Sequence, residues 1–112
     1  MKLGERQRLF AKLLPRLIDK AYELGYEITL GEAWRPPETA AAYDAAGKGI
    51  SNSLHIDKLA IDLNLFKDGV YLPHTQDHEP LGIFWESLHS ECRWGGRFND
   101  GNHYSITYNG RK

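Results

Sequence analysis

The sequence predicts an α+β domain in which a small antiparallel sheet is flanked by helices, and three observations carry that prediction. Near the N-terminus, Leu9, Phe10, Leu13, Leu14, Leu17, Ile18 and Ala21 recur at steps of three and four, which is one face of a helix. Further on, Leu59, Ile61, Leu63 and Leu65 alternate with Ala60, Asp62, Asn64 and Phe66, the period of a strand with one apolar and one polar face. Asp68-Gly69 follows, a turn signal that sends Val70-Tyr71-Leu72 back as the second arm of a hairpin.

Taken in chain order, the first helix contains Pro15, which has no backbone donor, so a kink or a split into two shorter helices is expected there. Gly25 supplies its stop. Tyr26 to Leu30 is a short β-rich run that leads to Glu32-Ala33-Trp34-Arg35. Pro36-Pro37 ends that segment, and Pro37 suits the first turn of an alanine-rich helix reaching Gly47. A Gly/Ser/Asn loop is expected over 47–53 and a polar loop over 73–80. Leu81, Phe84, Trp85 and Leu88 have helical spacing over 81–89. Trp94-Gly95-Gly96-Arg97-Phe98 reads as a loop loosened by glycine, and His103 to Tyr108 alternates as a closing strand.

With 112 residues and 41% hydrophobic content, the chain fits one compact domain, residues 1–112, with its own core. Fourteen Lys and Arg stand against fifteen Asp and Glu without long runs, which argues against a nucleic-acid or anionic-membrane binder. No apolar stretch approaches the roughly 20 residues of a membrane span. Lys12, Arg16, Asp19 and Lys20 interrupt any signal-peptide core, so no leader is expected. Cys92 is the single cysteine and builds no disulfide; it adjoins Arg93 but has no neighbouring histidine to activate it as a nucleophile.

Three residues have the chemistry to hold a divalent cation: His55 before the best strand, Asp62 within it and His103 opening the last one. If those strands pair, the side chains converge at one end of the sheet. Two imidazoles and a carboxylate, with a fourth position left to water, make up a catalytic zinc site. In a chain with five histidines such a triple is cheap, and by spacing alone ordinary side chains without a metal are the commoner outcome. His74 and His78 stand four apart but lie between Pro73 and Pro80, and are read as loop residues; His89 suits a helix end. Phe10, Phe84 and Trp85 are read as core.

The wording around the triple is specific. Ser53-Leu54-His55-Ile56-Asp57-Lys58-Leu59-Ala60-Ile61-Asp62 resembles the S-x-H-x-x-G-x-A-x-D signature of the VanY-like D-Ala-D-Ala carboxypeptidases and L-alanyl-D-glutamate endopeptidases. Trp94-Gly95-Gly96-Arg97-Phe98 followed by Asp100-Gly101-Asn102-His103 resembles their W-G-G-x-(F/W) and D-x-x-H block, and Ala33-Trp34-Arg35-Pro36 falls where they carry G-Y-R-(S/T). The three blocks stand in family order over nearly the whole chain, and the small phage endolysins of the family are most similar.

The resemblance implies a hedgehog/DD-peptidase-like fold and one zinc ion per chain held by His55, Asp62 and His103. It implies Asp100 as the general acid/base, Arg35 as the anchor of a substrate carboxylate or the developing oxyanion, and Ser53 and Trp94 as substrate-binding residues, Ser53 alternatively supporting the ligand shell. Glycines 95 and 96 are expected to let the backbone turn tightly beside the pocket. Two departures stand out: Lys58 replaces the signature glycine, so the turn must change shape or tolerate a side chain, and Trp34 replaces tyrosine. The implied activity is hydrolysis of peptidoglycan stem peptides at the L-alanyl-D-glutamate bond. Alternatives are a D-Ala-D-Ala carboxypeptidase or dipeptidase, and a non-catalytic cell-wall peptide-binding module. The expected setting is a monomeric phage or prophage enzyme made in the host cytoplasm and released through a holin, without a separate wall-binding module.

Overall fold

The computed structural model describes residues 1–47 and 53–112. Most of the loop expected over 47–53 therefore lies outside the described residues. In chain order the elements are α1 (Leu3–Glu23), β1 (Glu27–Leu30), α2 (Pro37–Ala45), β2 (Ala60–Lys67), β3 (Val70–Tyr71), α3 (Glu79–Leu88), β4 (Cys92–Trp94) and β5 (His103–Ile106). Short 3-10 turns cover Thr75–His78 and Gly95–Phe98. The expected α+β class is what the chain adopts, with every described strand pairing antiparallel.

The helix α1 runs unbroken through Pro15, so the expected split does not occur. Pro15 and Ala11, whose carbonyl loses its helical donor, are both exposed, and water can take the missing bond. Burial of Phe10, Leu13 and Leu17 on the opposite side holds both halves in place. Each such burial contributes roughly 1.5–3 kcal/mol, against about 3 kcal/mol lost to a mid-helix proline. At the far end Gly25 has φ +89°, and the Tyr26 and Gly25 N–H groups donate to Ala21 and Tyr22 carbonyls at 2.9 and 3.1 Å. This closes the helix by a glycine-dependent C-terminal motif.

The sheet order is β1-β2-β5-β4, with β3 attached to β2. Asp68 and Gly69 both have positive φ, 52° and 75°, the turn geometry that matches strand twist in a two-residue hairpin. Along β2, Ile61, Leu63 and Leu65 are buried with Phe10, Leu13, Leu17, Trp85 and Tyr104 in the core. Asp62 and Asn64 are only half-buried, because successive strand residues point to opposite faces.

Two expectations are corrected. The segment 73–80 is not simple loop: a 3-10 turn precedes α3, which begins at Glu79 with Pro80 in its first turn, where a missing N–H costs nothing. The Trp94 to Phe98 stretch is not wholly loop either. Trp94 ends strand β4, whose short run Cys92-Arg93-Trp94 has too little alternation to reveal itself, and a 3-10 turn follows. Cys92 is buried there, and burial pushes its thiol up to about 12, consistent with a core residue and not a nucleophile. Among the described residues no helix is long and apolar enough to cross a membrane.

Candidate metal centre

Register brings two of the three candidate ligands together. In the β2–β5 pair Asp62 lies directly opposite His103, so the two side chains share the face opposite the leucines. The third arrives on a turn. The Ile56 N–H donates to the Ser53 carbonyl at 3.1 Å, the Asp57 and Leu59 N–H groups donate to the Leu54 carbonyl at 3.1 Å each, and Lys58 closes the turn at φ 59°. Lys58 thus takes the left-handed backbone that glycine favours and carries its side chain out to solvent, over the Trp34 ring at 5.6 Å. Ser53 is buried, and its Oγ accepts the His55 N–H at 3.2 Å. Its observed contact is therefore with the backbone of the candidate ligand.

One ligand atom from each of His55, Asp62 and His103 lies within 4.8 Å of the others. Asp62 Oδ1 is 3.3 Å from His55 Nε2 and 3.7 Å from His103 Nδ1, and the two imidazole rings meet edge to face at 5.3 Å. Both histidines are buried. Burial raises the Asp62 carboxyl, but the facing imidazoles of His103 and His55 outweigh it and bring its pKa down to about 2. An ionised carboxylate between two nitrogen donors is a donor set suited to zinc.

Asp100 stands beside this cluster. Its Oδ2 is 3.9 Å from His103 Nδ1, and its side chain is half exposed. Burial of the carboxyl, with Asp62 adding to it against the opposite pull of His103 and His55, holds its pKa above the ordinary carboxylate range. Asp100 also borders a polar cavity of about 200 Å³ with His74, Thr75, His78 and Asn102. The loop that carries it is tied down at both ends: Asp100 N–H donates to Gly95 O at 2.8 Å, and Gly101 N–H donates to Thr75 Oγ1 at 3.2 Å. His78 is buried below, its Nδ1 2.8 Å from the Tyr104 hydroxyl.

The tandem glycines serve close approach, not a turn with positive φ, which falls on Asn99 instead at 61°. A Cβ on Gly95 would meet Asp100 O at 2.1 Å and His103 Cβ at 2.7 Å; one on Gly96 would meet the Trp94 ring at 2.1 Å. Trp94 is 3% exposed and its Nε1 donates to Gly101 O at 2.8 Å. The expected substrate contact at Trp94 is therefore corrected, because a buried indole braces the Asp100 loop from inside and offers a substrate no surface.

Arg35 is close to the centre but already engaged. Its Nε and Nη2 reach the same oxygen, Glu32 Oε1, at 2.7 and 2.5 Å, and its guanidinium lies 5.2 Å from the Tyr43 ring centre. Its backbone N–H donates to the His55 carbonyl at 3.1 Å, while Trp34 Nε1 donates to Ile56 O at 3.0 Å, so this segment is strapped to the His55 turn. Glu32 is the residue that sequence reasoning passed over. An acid three positions before an arginine is commonplace, and only the fold places Glu32 Oε1 3.8 Å from His55 Nδ1.

No family model and no curated protein matches the chain. Solved structures do. The chain shares the fold of the Serratia marcescens L-Ala D-Glu endopeptidase ChiX, with TM-score 0.70 and 21% identity over 93% of this chain and 85% of that one. It is similar, with TM-score 0.57 and 19% identity over 87% of this chain and 70% of that one, to the vancomycin resistance D,D-pentapeptidase VanY, solved as its E175A mutant in complex with Zn(II).

Proposed function

We propose that the chain is a zinc metallopeptidase that hydrolyses the L-alanyl-D-glutamate bond of bacterial peptidoglycan stem peptides, acting as a phage or prophage endolysin. The observation that carries this reading is the convergence of His55, Asp62 and His103 within 4.8 Å, with the Asp100 carboxylate 3.9 Å from the His103 ring. The fold shared with the L-Ala D-Glu endopeptidase over most of both chains supports the choice of bond.

In this reading His55 Nε2, an Asp62 carboxylate oxygen and His103 Nδ1 would hold the ion, which when bound would supply Lewis-acid chemistry for the scissile carbonyl and lower the pKa of water toward neutrality. Asp100, its Oδ2 3.9 Å from His103 Nδ1, takes the proton of the attacking water on its carboxylate and returns it to the leaving amine. Arg35, fixed through Nε and Nη2, presents the remaining edge of its guanidinium to a substrate carboxylate or the developing oxyanion. Ser53 holds the turn that aims His55.

The likeness to a D,D-pentapeptidase favours a second reading, carboxypeptidase action on a D-Ala-D-Ala terminus with the same site. Muropeptide mass spectrometry separates the two: new L-alanine carboxyl ends with D-glutamate amino ends support the first, and released D-alanine supports the second. Metal analysis of purified protein, paired with turbidity loss of permeabilised Gram-negative cells, tests the common core. A metal-free protein without lysis at neutral pH would sink both.

A further inference from the structure

We propose that Glu32 is a positioning residue: its carboxylate fixes the ligand His55 through Nδ1 while the same oxygen clamps Arg35, so that one acid aligns the metal centre and its neighbouring cation. This rests on the zinc reading above and extends it to a residue outside the ligand set.

The His55 ring has two nitrogens with different surroundings. Nε2 faces Asp62 Oδ1 at 3.3 Å, whereas Nδ1 is buried and makes no hydrogen bond among the described residues. A buried imidazole donor left unpaired is costly, because it has given up water without gaining a partner. Glu32 Oε1 lies 3.8 Å from Nδ1, so a movement of about 1 Å gives an ordinary hydrogen bond. With Nδ1–H donating to a carboxylate, Nε2 is left unprotonated and free to bind a cation, the arrangement by which an outer carboxylate orients a metal-bound histidine.

The backbone makes this partner a fixed one. Gly31 N–H donates to Asp62 O at 2.8 Å and Asp62 N–H donates to Glu32 O at 3.0 Å, so Glu32 is registered on the very strand residue that is a candidate ligand. The N–H of Arg35 closes the circuit on the His55 carbonyl at 3.1 Å. An ordinary surface pair spaced three apart would be mostly exposed, but here the Arg35 side chain is 12% and the Glu32 side chain 27% exposed.

The test measures zinc affinity by competition with a chromophoric chelator in wild type, Glu32→Gln and Glu32→Ala, with thermal melts of the metal-free proteins alongside. Loss of the carboxylate is expected to weaken zinc about 10–100-fold, more in Glu32→Ala than in Glu32→Gln, which keeps an acceptor without the charge. Zinc bound with wild-type affinity in both variants overturns the role of Glu32 and leaves the peptidase reading standing, as does a fall in melting temperature alone. A wild type that binds no zinc overturns both. Nitrogen-15 imidazole spectra of zinc-loaded wild type need no variant to fold: a protonated Nδ1 on His55 is expected, and a bare Nδ1 overturns the proposal.

Discussion

Asp62 and His103 face one another as cross-strand partners, with His103 Nδ1 3.7 Å from Asp62 Oδ1. Asp100 approaches the same ring from the loop before β5, at 3.9 Å. These neighbours of one imidazole carry different duties in the proposed reaction, and substitution separates them. Asp100→Ala is expected to retain zinc while hydrolysis falls about 100- to 10,000-fold, the usual worth of a general acid/base. His103→Ala is expected to lose both. Zinc content after gel filtration and muropeptide turnover check the pair; equal zinc loss in the two variants would reassign Asp100 to binding or structure.

Lys58 pays a conformational cost at φ 59° that glycine would avoid. Lys58→Gly relieves about 1–2 kcal/mol of left-handed strain but gives up about 0.5–1 kcal/mol each for the Trp34 contact and for glycine's greater freedom when unfolded. The terms nearly cancel, so a melting temperature within a few degrees of wild type, with unchanged turnover, is the expected result; a large fall would show that the Lys58 side chain itself holds the turn.

Gly95→Ala drives a methyl group into Asp100 O and His103 Cβ, neither of which can swing aside as a flexible side-chain tip would. It is expected to cost about 1–3 kcal/mol and to weaken zinc binding and turnover, because both contacts belong to the centre. Gly4→Ala is the control: its methyl meets only the end of Arg8 at 3.4 Å, and chemical denaturation should show no loss of stability.

Burial lowers the pKa of His78 from 6.5, against an opposing pull from Asp77. The unfolded chain therefore binds this proton more readily than the folded one, and stability from this group rises with pH. It is complete above 6.5 and is lost as pH falls through the lower, folded value. Urea unfolding of the metal-free protein at several pH values, wild type against His78→Gln, should show the variant's disadvantage shrinking as the solution is acidified below 6.5. A constant difference would remove His78 as the cause.

What the sequence made legible follows from what periodicity can carry. The alternation from Leu59 to Phe66 identifies β2 and puts Asp62 on the polar face, and a separate alternation from His103 marks the closing strand. The motifs likewise singled out the three residues that the fold gathers. Strand β4 has only three residues, too few for a period, and owes its existence to pairing with β5. A tryptophan in a motif looks the same whether it lines a cleft or braces a loop; only the fold packs Gly82 and Gly96 against the Trp94 ring and buries it. Glu32 escaped because its meaning depends on a turn more than twenty positions away.

Strand β2 meets β5 through Ala60–Asp62 and β1 through Leu63–Phe66, and the main chain at Gly31 and Glu32 extends the latter pairing back to Asp62. A slip of β5 by one residue would turn His103 into the core and Tyr104 out to solvent. Only the correctly threaded sheet brings all three donors together, so an ion held by them would act as a proofreader of strand alignment, locking the register that created its own binding site.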